Sequence, residues 1–233
     1  MRPILNRTTL CEQVASYLVK YIRENGLRPG DLMPSEFRIS ADLGVSRGIV
    51  REAFRSLATT GIIEVASGKK ARVANLRQAA LTSFMEHGLL TDQILPVEML
   101  QVRRILEEGG ARLAALHRLE SDVCEMRHLM DRMRSCMQDR GAFVDYDLRL
   151  HLAIAQATKN TLYSLLTASL GEALESSIRV GMERSTSQDV EMSLQEHQDI
   201  VEAIAAGDPS MAEQAMRVHF DDAIRIVIGD ESV

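Results

Sequence analysis

At 233 residues the chain is long enough for two compact domains, and its charge divides accordingly: residues 1–75 carry 12 Lys and Arg against 7 Asp and Glu, whereas residues 76–233 carry 15 against 26. Cys11, Cys124 and Cys136 stand too far apart for a disulfide framework or a thiolate zinc site, the opening MRPILNRTTL has no apolar leader core, and no run reaches the roughly 18 apolar residues of a membrane span. A reduced, cytoplasmic protein with no membrane partner is expected, and the absence of Trp with abundant Met suits packed helices better than sandwiches or barrels.

Residues 9–25, TLCEQVASYLVKYIREN, set Val14, Leu18, Tyr21 and Ile22 on one helical face before Gly26. LRPGDLMPSE breaks the pattern, and Ser35 caps a short helix, EFRISADLG, that stops at Gly44. Ser46 opens a third helix, RGIVREAFRSLATTG, with Val45 and Val50 placed as a hydrophobic staple. Its buried stripe is Val50, Phe54 and Leu57, which leaves Arg47, Arg51 and Arg55 at spacings of four on another side. IIEVA and ARVA, joined by SGKK, read as a hairpin with a basic tip. Beyond Ala74 only helical patterns remain, near 77–90, 96–118, 121–140, 142–158, 161–183, 187–206 and 209–228. Asn160 is placed to cap one of them, and Gly207-Asp208-Pro209 to end one and start the next.

The pattern predicts a mainly α protein: a winged helix-turn-helix with a short β-hairpin wing over residues 1–74, a linker helix over 75–94, and an all-α bundle over 95–229. A short helix, a tight turn at Gly44 and an arginine-lined helix suit a duplex groove about 12 Å wide. Arg47 and Arg51 lie on the first two turns, where an arginine fork matches guanine O6 and N7, and Lys69 and Lys70 are placed for phosphate or the minor groove. Arginines at helical spacing alone would more often be a solvated face; it is the whole order of elements that favours DNA.

MPSEFRISADLGVSRGIVREAFRSLATTGIIEV resembles the signature of GntR-family regulators over about residues 8–74. The resemblance implies that Ser46, Arg47, Arg51, Gly68 and Lys69 fall at positions the family uses on DNA. Phe37 stands where the family often has arginine, with Arg38 as the neighbouring substitute. One such module buries too little surface for a selective site, so a homodimer on a palindromic operator is expected.

In the rear unit Asp147 and His151 project from one helical face, while His197 and His219 each interrupt an apolar stripe on a later helix. A lone inward histidine is more often a core residue bonded to a carbonyl, but three with one carboxylate point to a divalent cation, which would satisfy all four groups together. The donor set suits Zn²⁺, Ni²⁺ or Mn²⁺ without choosing among them. D-x-x-x-H in DYDLRLHLAIAQATKN, EHQDIVEAI and AMRVHF resemble the FCD ligand-binding domain of FadR-type GntR proteins over 95–229. That resemblance implies that Asp147, His151, His197 and His219 are metal ligands, and that open metal positions take a small carboxylate effector. Arg103, in QVRRILEEGG, is the candidate carboxylate clamp, against a surface arginine, and Asn160 a second effector contact, against a simple helix cap.

The expected function is a DNA-binding transcriptional regulator, by default a repressor, whose effector shifts the population of sensor conformations and acts through the helix at 77–90. The alternatives are a purely structural metal, an acyl-CoA or other effector, or a metal-dependent hydrolase. The hydrolase lacks H-E-x-x-H and a further base placed by motif, so no enzyme is expected.

Overall fold

The computed structural model describes residues 8–66 and 70–228, with side chains as far as Arg225. The chain divides into two compact units, 1–77 and 78–233.

In the first unit, α1 (Leu10–Glu24), α2 (Glu36–Leu43) and α3 (Arg47–Thr59) precede β1 (Ile63–Glu64) and β2 (Arg72–Val73). Each helix starts where a side chain relieves the free N–H groups of its first turn. Thr9 and Glu12 close a reciprocal capping box on α1, Ser35 accepts from Arg38 N at 3.2 Å, and Ser46 accepts from Ile49 N at 3.3 Å. Gly44 ends α2 at φ 65°, a left-handed conformation that costs glycine nothing and makes the tight turn into α3. Val14, Leu18, Ile39, Val50, Phe54, Leu57 and Ile63 form one core, which fixes α3 by its apolar stripe and leaves its arginines outside.

The wing strands are shorter than the apolar runs predict: β1 and β2 pair antiparallel through Ile63 with Val73 and Glu64 with Arg72. A third chain segment, silent in the sequence pattern, joins their base. Leu32 bridges Arg72, Met33 N donates to Ala71 O at 2.9 Å and Val73 N to Asp31 O at 2.9 Å. Two prolines and a glycine mask an extended segment whose hydrogen bonds are long-range.

The second unit is helical throughout its described residues: α4 (Gln78–Leu90), α5 (Pro96–His117), α6 (Glu120–Ser135), α7 (Arg140–Ala157), α8 (Thr161–Arg184), α9 (Ser187–Ala206) and α10 (Pro209–Ile228). One boundary moves against expectation. The helix predicted over 121–140 ends at Ser135, because Asp139 accepts from Ala142 N at 3.0 Å and starts α7 at Arg140, two residues early. Gly207 at φ 73° ends α9, and Asp208 accepts from Met211 N at 3.0 Å to open α10 with Pro209 in its first turn.

α5 to α10 enclose a core in which Leu100, Met126, Met133, Phe143, Leu150, Ile200 and Phe220 are almost wholly buried. Burying each contributes about 2 kcal/mol. α5 and α8 approach closely where Gly110 leaves the space that the Tyr163 ring occupies. α4 lies on α8, where the Glu172 carboxylate accepts from both Gln78 Nε2 at 2.7 Å and Thr82 Oγ1 at 2.9 Å.

Candidate functional site

Three helices bring four side chains together inside the second unit. Asp147 and His151 stand one turn apart on α7, His197 lies on α9 and His219 on α10. All four are buried, His197 completely. One ligand atom from each lies within 4.8 Å of the others. His197 Nε2 is 2.9 Å from Asp147 Oδ1 and 3.3 Å from His151 Nε2, and His151 Nε2 is 3.9 Å from the same carboxylate oxygen.

The outward nitrogens decide what faces inward. His197 Nδ1 donates to Ser193 O at 2.7 Å, His219 Nδ1 meets Glu196 Oε2 at 3.2 Å, and His151 Nδ1 meets Glu107 Oε2. With Nδ1 of His197 on a carbonyl and Nδ1 of His151 on a carboxylate, both rings carry that proton outward, and their Nε2 lone pairs converge with the Asp147 oxygen and the His219 ring. Such a set is repulsive by itself and complementary to a cation. Outward Nδ1 bonds to a carbonyl or carboxylate are also the arrangement that orients metal-binding histidines.

Electrostatics point the same way. Burial pushes the Asp147 carboxyl up, but the closely packed rings of His197, His151 and His219 outweigh it and hold the group far below the usual carboxylate range. Burial, with His197 and His151 beside it, drives His219 well below its ordinary value, so it presents a neutral ring. Burial and the adjacent Asp222 push the Glu196 carboxyl up to about 8. The residues present therefore fit a divalent cation bound by oxygen and three imidazole nitrogens.

Sequence reasoning missed the outer shell of Glu107, Glu196 and the Ser193 carbonyl. A signal existed for one of them, since Glu107 follows Arg103 by four residues, and the pair is bonded at 2.5 Å in the interior. Burial raises the Glu107 carboxyl, yet Arg103 and His151 together bring it below its ordinary value. Arg103 itself is 3% exposed, lies under the Phe220 ring at 5.6 Å, and leaves Nη2 without a partner. It lines a cavity of about 50 Å³ together with Asp147, His151, His219 and Phe220. Asn160 sits apart from that wall: it caps α8 by accepting from Tyr163 N at 3.2 Å and is exposed.

On the first unit, Ser46, Arg47 and Arg51 stand together at the exposed start of α3. Glu36, at the start of α2, holds Arg51 through an Oε2 to Nε contact of 3.3 Å. Arg38 points to Asp42 at 3.6 Å, and Phe37 beside it is 68% exposed. Gly68 and Lys69, expected at the wing tip, lie outside the described residues, while Lys70 is exposed.

Comparison with known proteins covers both units. Residues 10–73 match the family described as bacterial regulatory proteins, gntR family, and residues 98–222 match the FCD domain. The chain is 31% identical over 221 residues to the galactonate operon transcriptional repressor of Escherichia coli, covering 91% of this chain and 92% of that protein. It is 30% identical over 220 residues to the Glc operon transcriptional activator of the same organism, with 91% and 87% covered. LutR of Bacillus subtilis, an HTH-type transcriptional regulator, is 29% identical over 211 residues, with 89% and 96% covered. Among solved structures, Streptococcus agalactiae GntR superposes with a TM-score of 0.71 at 24% identity, covering 92% of this chain and 99% of that one.

Proposed function

We propose that this chain, which belongs to the GntR family of bacterial regulatory proteins and carries an FCD domain, represses transcription from a palindromic operator until a small carboxylate binds beside a metal in its second unit. That it is a DNA-binding transcriptional regulator follows from the family itself, and its relatives are regulators and not enzymes. The observation that carries the sensing half is the convergence of one potential ligand atom from each of four buried residues, Asp147, His151, His197 and His219, within 4.8 Å of one another.

When bound there, a Zn²⁺, Ni²⁺ or Mn²⁺ ion supplies a positive anchor for a carboxylate oxygen. The chain's own part is to hold the imidazoles by their Nδ1 protons and to offer Arg103, whose unpartnered Nη2 suits the second carboxylate oxygen. Glu107 fixes both the Arg103 guanidinium and His151, so the clamp and a ligand share one support. Asn160, exposed and outside the lining of the Arg103 cavity, serves as the cap of α8.

On DNA, α3 enters the major groove with Arg47 and Arg51 at base edges, while Ser46, Gly68 and Lys69 meet the backbone or the minor groove and Arg38 contributes from α2. Two copies read two half-sites, which gives one selective site from two small modules. The effector favours one arrangement of the sensor helices and acts through α4, the first helix after the DNA-reading unit.

The experiment is footprinting of the operator with native, chelated and His197→Ala protein, with and without small carboxylates. Symmetric protection released by a carboxylate only in the native protein is expected. Protection of one half-site by a monomer, or release unaffected by chelation, defeats the reading.

A further inference from the structure

The first unit holds two phenylalanines with opposite fates. Phe54 lies in the core at 4% exposure, whereas Phe37, on the first turn of α2, is 68% exposed. Exposure alone is common for a single apolar side chain. What sets Phe37 apart is the company it keeps.

α2 turns Ile39 and Leu43 toward the core. With about 3.6 residues to a turn, Glu36 and Ser40 then lie to one side of that line, and Arg38 and Asp42 to the other. The first side faces the start of α3: the Glu36 carboxylate accepts from Arg51 Nε at 3.3 Å, and Ser40 Oγ donates to Val45 O at 2.7 Å. Phe37 continues this side toward solvent, one residue from the carboxylate that holds Arg51. Arg38, on the opposite side, is turned to Asp42 at 3.6 Å. The exposed ring and the exposed arginines of α3 therefore belong to one surface.

The chemistry of that surface is divided. Glu36 takes Arg51 at Nε, which leaves the two Nη groups as a fork of the shape that matches guanine O6 and N7. A phenyl ring neither donates nor accepts a conventional hydrogen bond. On the floor of the major groove, cytosine and adenine present amino groups and guanine presents acceptors, all of which a ring would strip of water without repayment. Thymine alone presents a methyl group, which gains from being covered. Resting on the reading that α3 enters the major groove, we infer that Phe37 packs on the C5-methyl of a thymine beside the base pair that Arg51 contacts, and is a specificity residue for the operator. Because the ring is uncharged, its contribution is independent of counterion release, unlike that of Arg51.

The test starts from duplexes that the native full chain enriches out of a randomised library. Each thymine of the enriched site is replaced in turn by deoxyuridine, which pairs as thymine does but lacks the methyl, and affinity is measured for the native chain, Phe37→Ala, Phe37→Arg and Arg51→Ala. One replacement should weaken native binding about fourfold, the weight of one covered methyl group, and leave Phe37→Ala unaffected. Phe37→Arg should move the preference at that place from thymine to guanine. Phe37→Ala should keep the salt dependence of affinity, which Arg51→Ala makes shallower. If Arg51→Ala loses affinity but no deoxyuridine replacement separates the native chain from Phe37→Ala, the thymine contact is overturned and the groove reading of α3 survives. A loss from Phe37→Ala that is equal on duplexes with and without each methyl also overturns it, and assigns the ring to a contact between copies of the chain. Enriched duplexes that bind Arg51→Ala as tightly as the native chain overturn both readings.

Discussion

The buried Asp147, His151, His197 and His219 cluster and the arginine face of α3 are both sets of polar groups assembled by helices, but burial makes them different machines. His197 is fully buried and cannot turn to water, so it is correct only while Ser193, Asp147 and His151 are correct. The Arg51 side chain is 54% exposed and borrows a single contact from Glu36, so it can exchange one partner for another at little cost. A buried cluster is cooperative and stability-bearing; an exposed face is additive and nearly neutral for the fold. On the proposed function, sensing and DNA reading are thereby separated in energy as well as in sequence.

Four experiments probe that contrast. Chelation should have the largest effect on the fold, lowering the thermal midpoint by about 10 °C, because a cation well above its dissociation constant stabilises by about 4 kcal/mol. An unchanged midpoint in a protein shown by elemental analysis to have lost its metal would erase the distinction. Next, Arg51→Ala should weaken operator binding about 10–100-fold while leaving metal content and midpoint where they were. Mobility-shift titration beside metal analysis reads both, and loss of metal would show that the two regions are not independent. His197→Ala should do the reverse: metal content and effector response fall, and operator affinity without effector stays within about threefold. The smallest effect is reserved for an exposed pair inside the second unit. Lys159 and the N–H of Leu119 draw the Asp122 carboxyl below its ordinary value against a push upward from burial. Because the folded value is depressed, its stabilisation is present above the unfolded value and fades as pH falls through the folded one. Asp122→Asn should therefore cost at most about 1 kcal/mol near neutrality, a difference that shrinks below about pH 4 in urea titrations. A larger cost would mean that location in the second unit, and not burial, sets the scale.

Much of this was legible in the residues, for reasons that can be named. Helix starts were readable because Ser35, Ser46 and Asn160 act on N–H groups within three residues of themselves. The convergence of Asp147, His151, His197 and His219 was readable because apolar periodicity says which face turns inward. Asp139 was overlooked as a cap because the helical pattern runs through it unbroken, so only the structure shows α6 ending at Ser135. The Glu107 to His151 contact spans 44 residues and belongs to no local pattern, and whether Arg103 is buried or exposed depends on packing by α10.

The hydrogen bonds from Gly30, Met33 and Val73 that join the segment before α2 to β2 bear on how such a protein diversifies. They clamp the root of the wing to the scaffold that aims α3, so residues inserted between β1 and β2 would lengthen the outer loop without disturbing the root. On the proposed DNA contacts, reach along the duplex and choice of bases can then drift separately, one by loop length and the other by side-chain replacement on α3. A lineage could retune either without re-solving the fold.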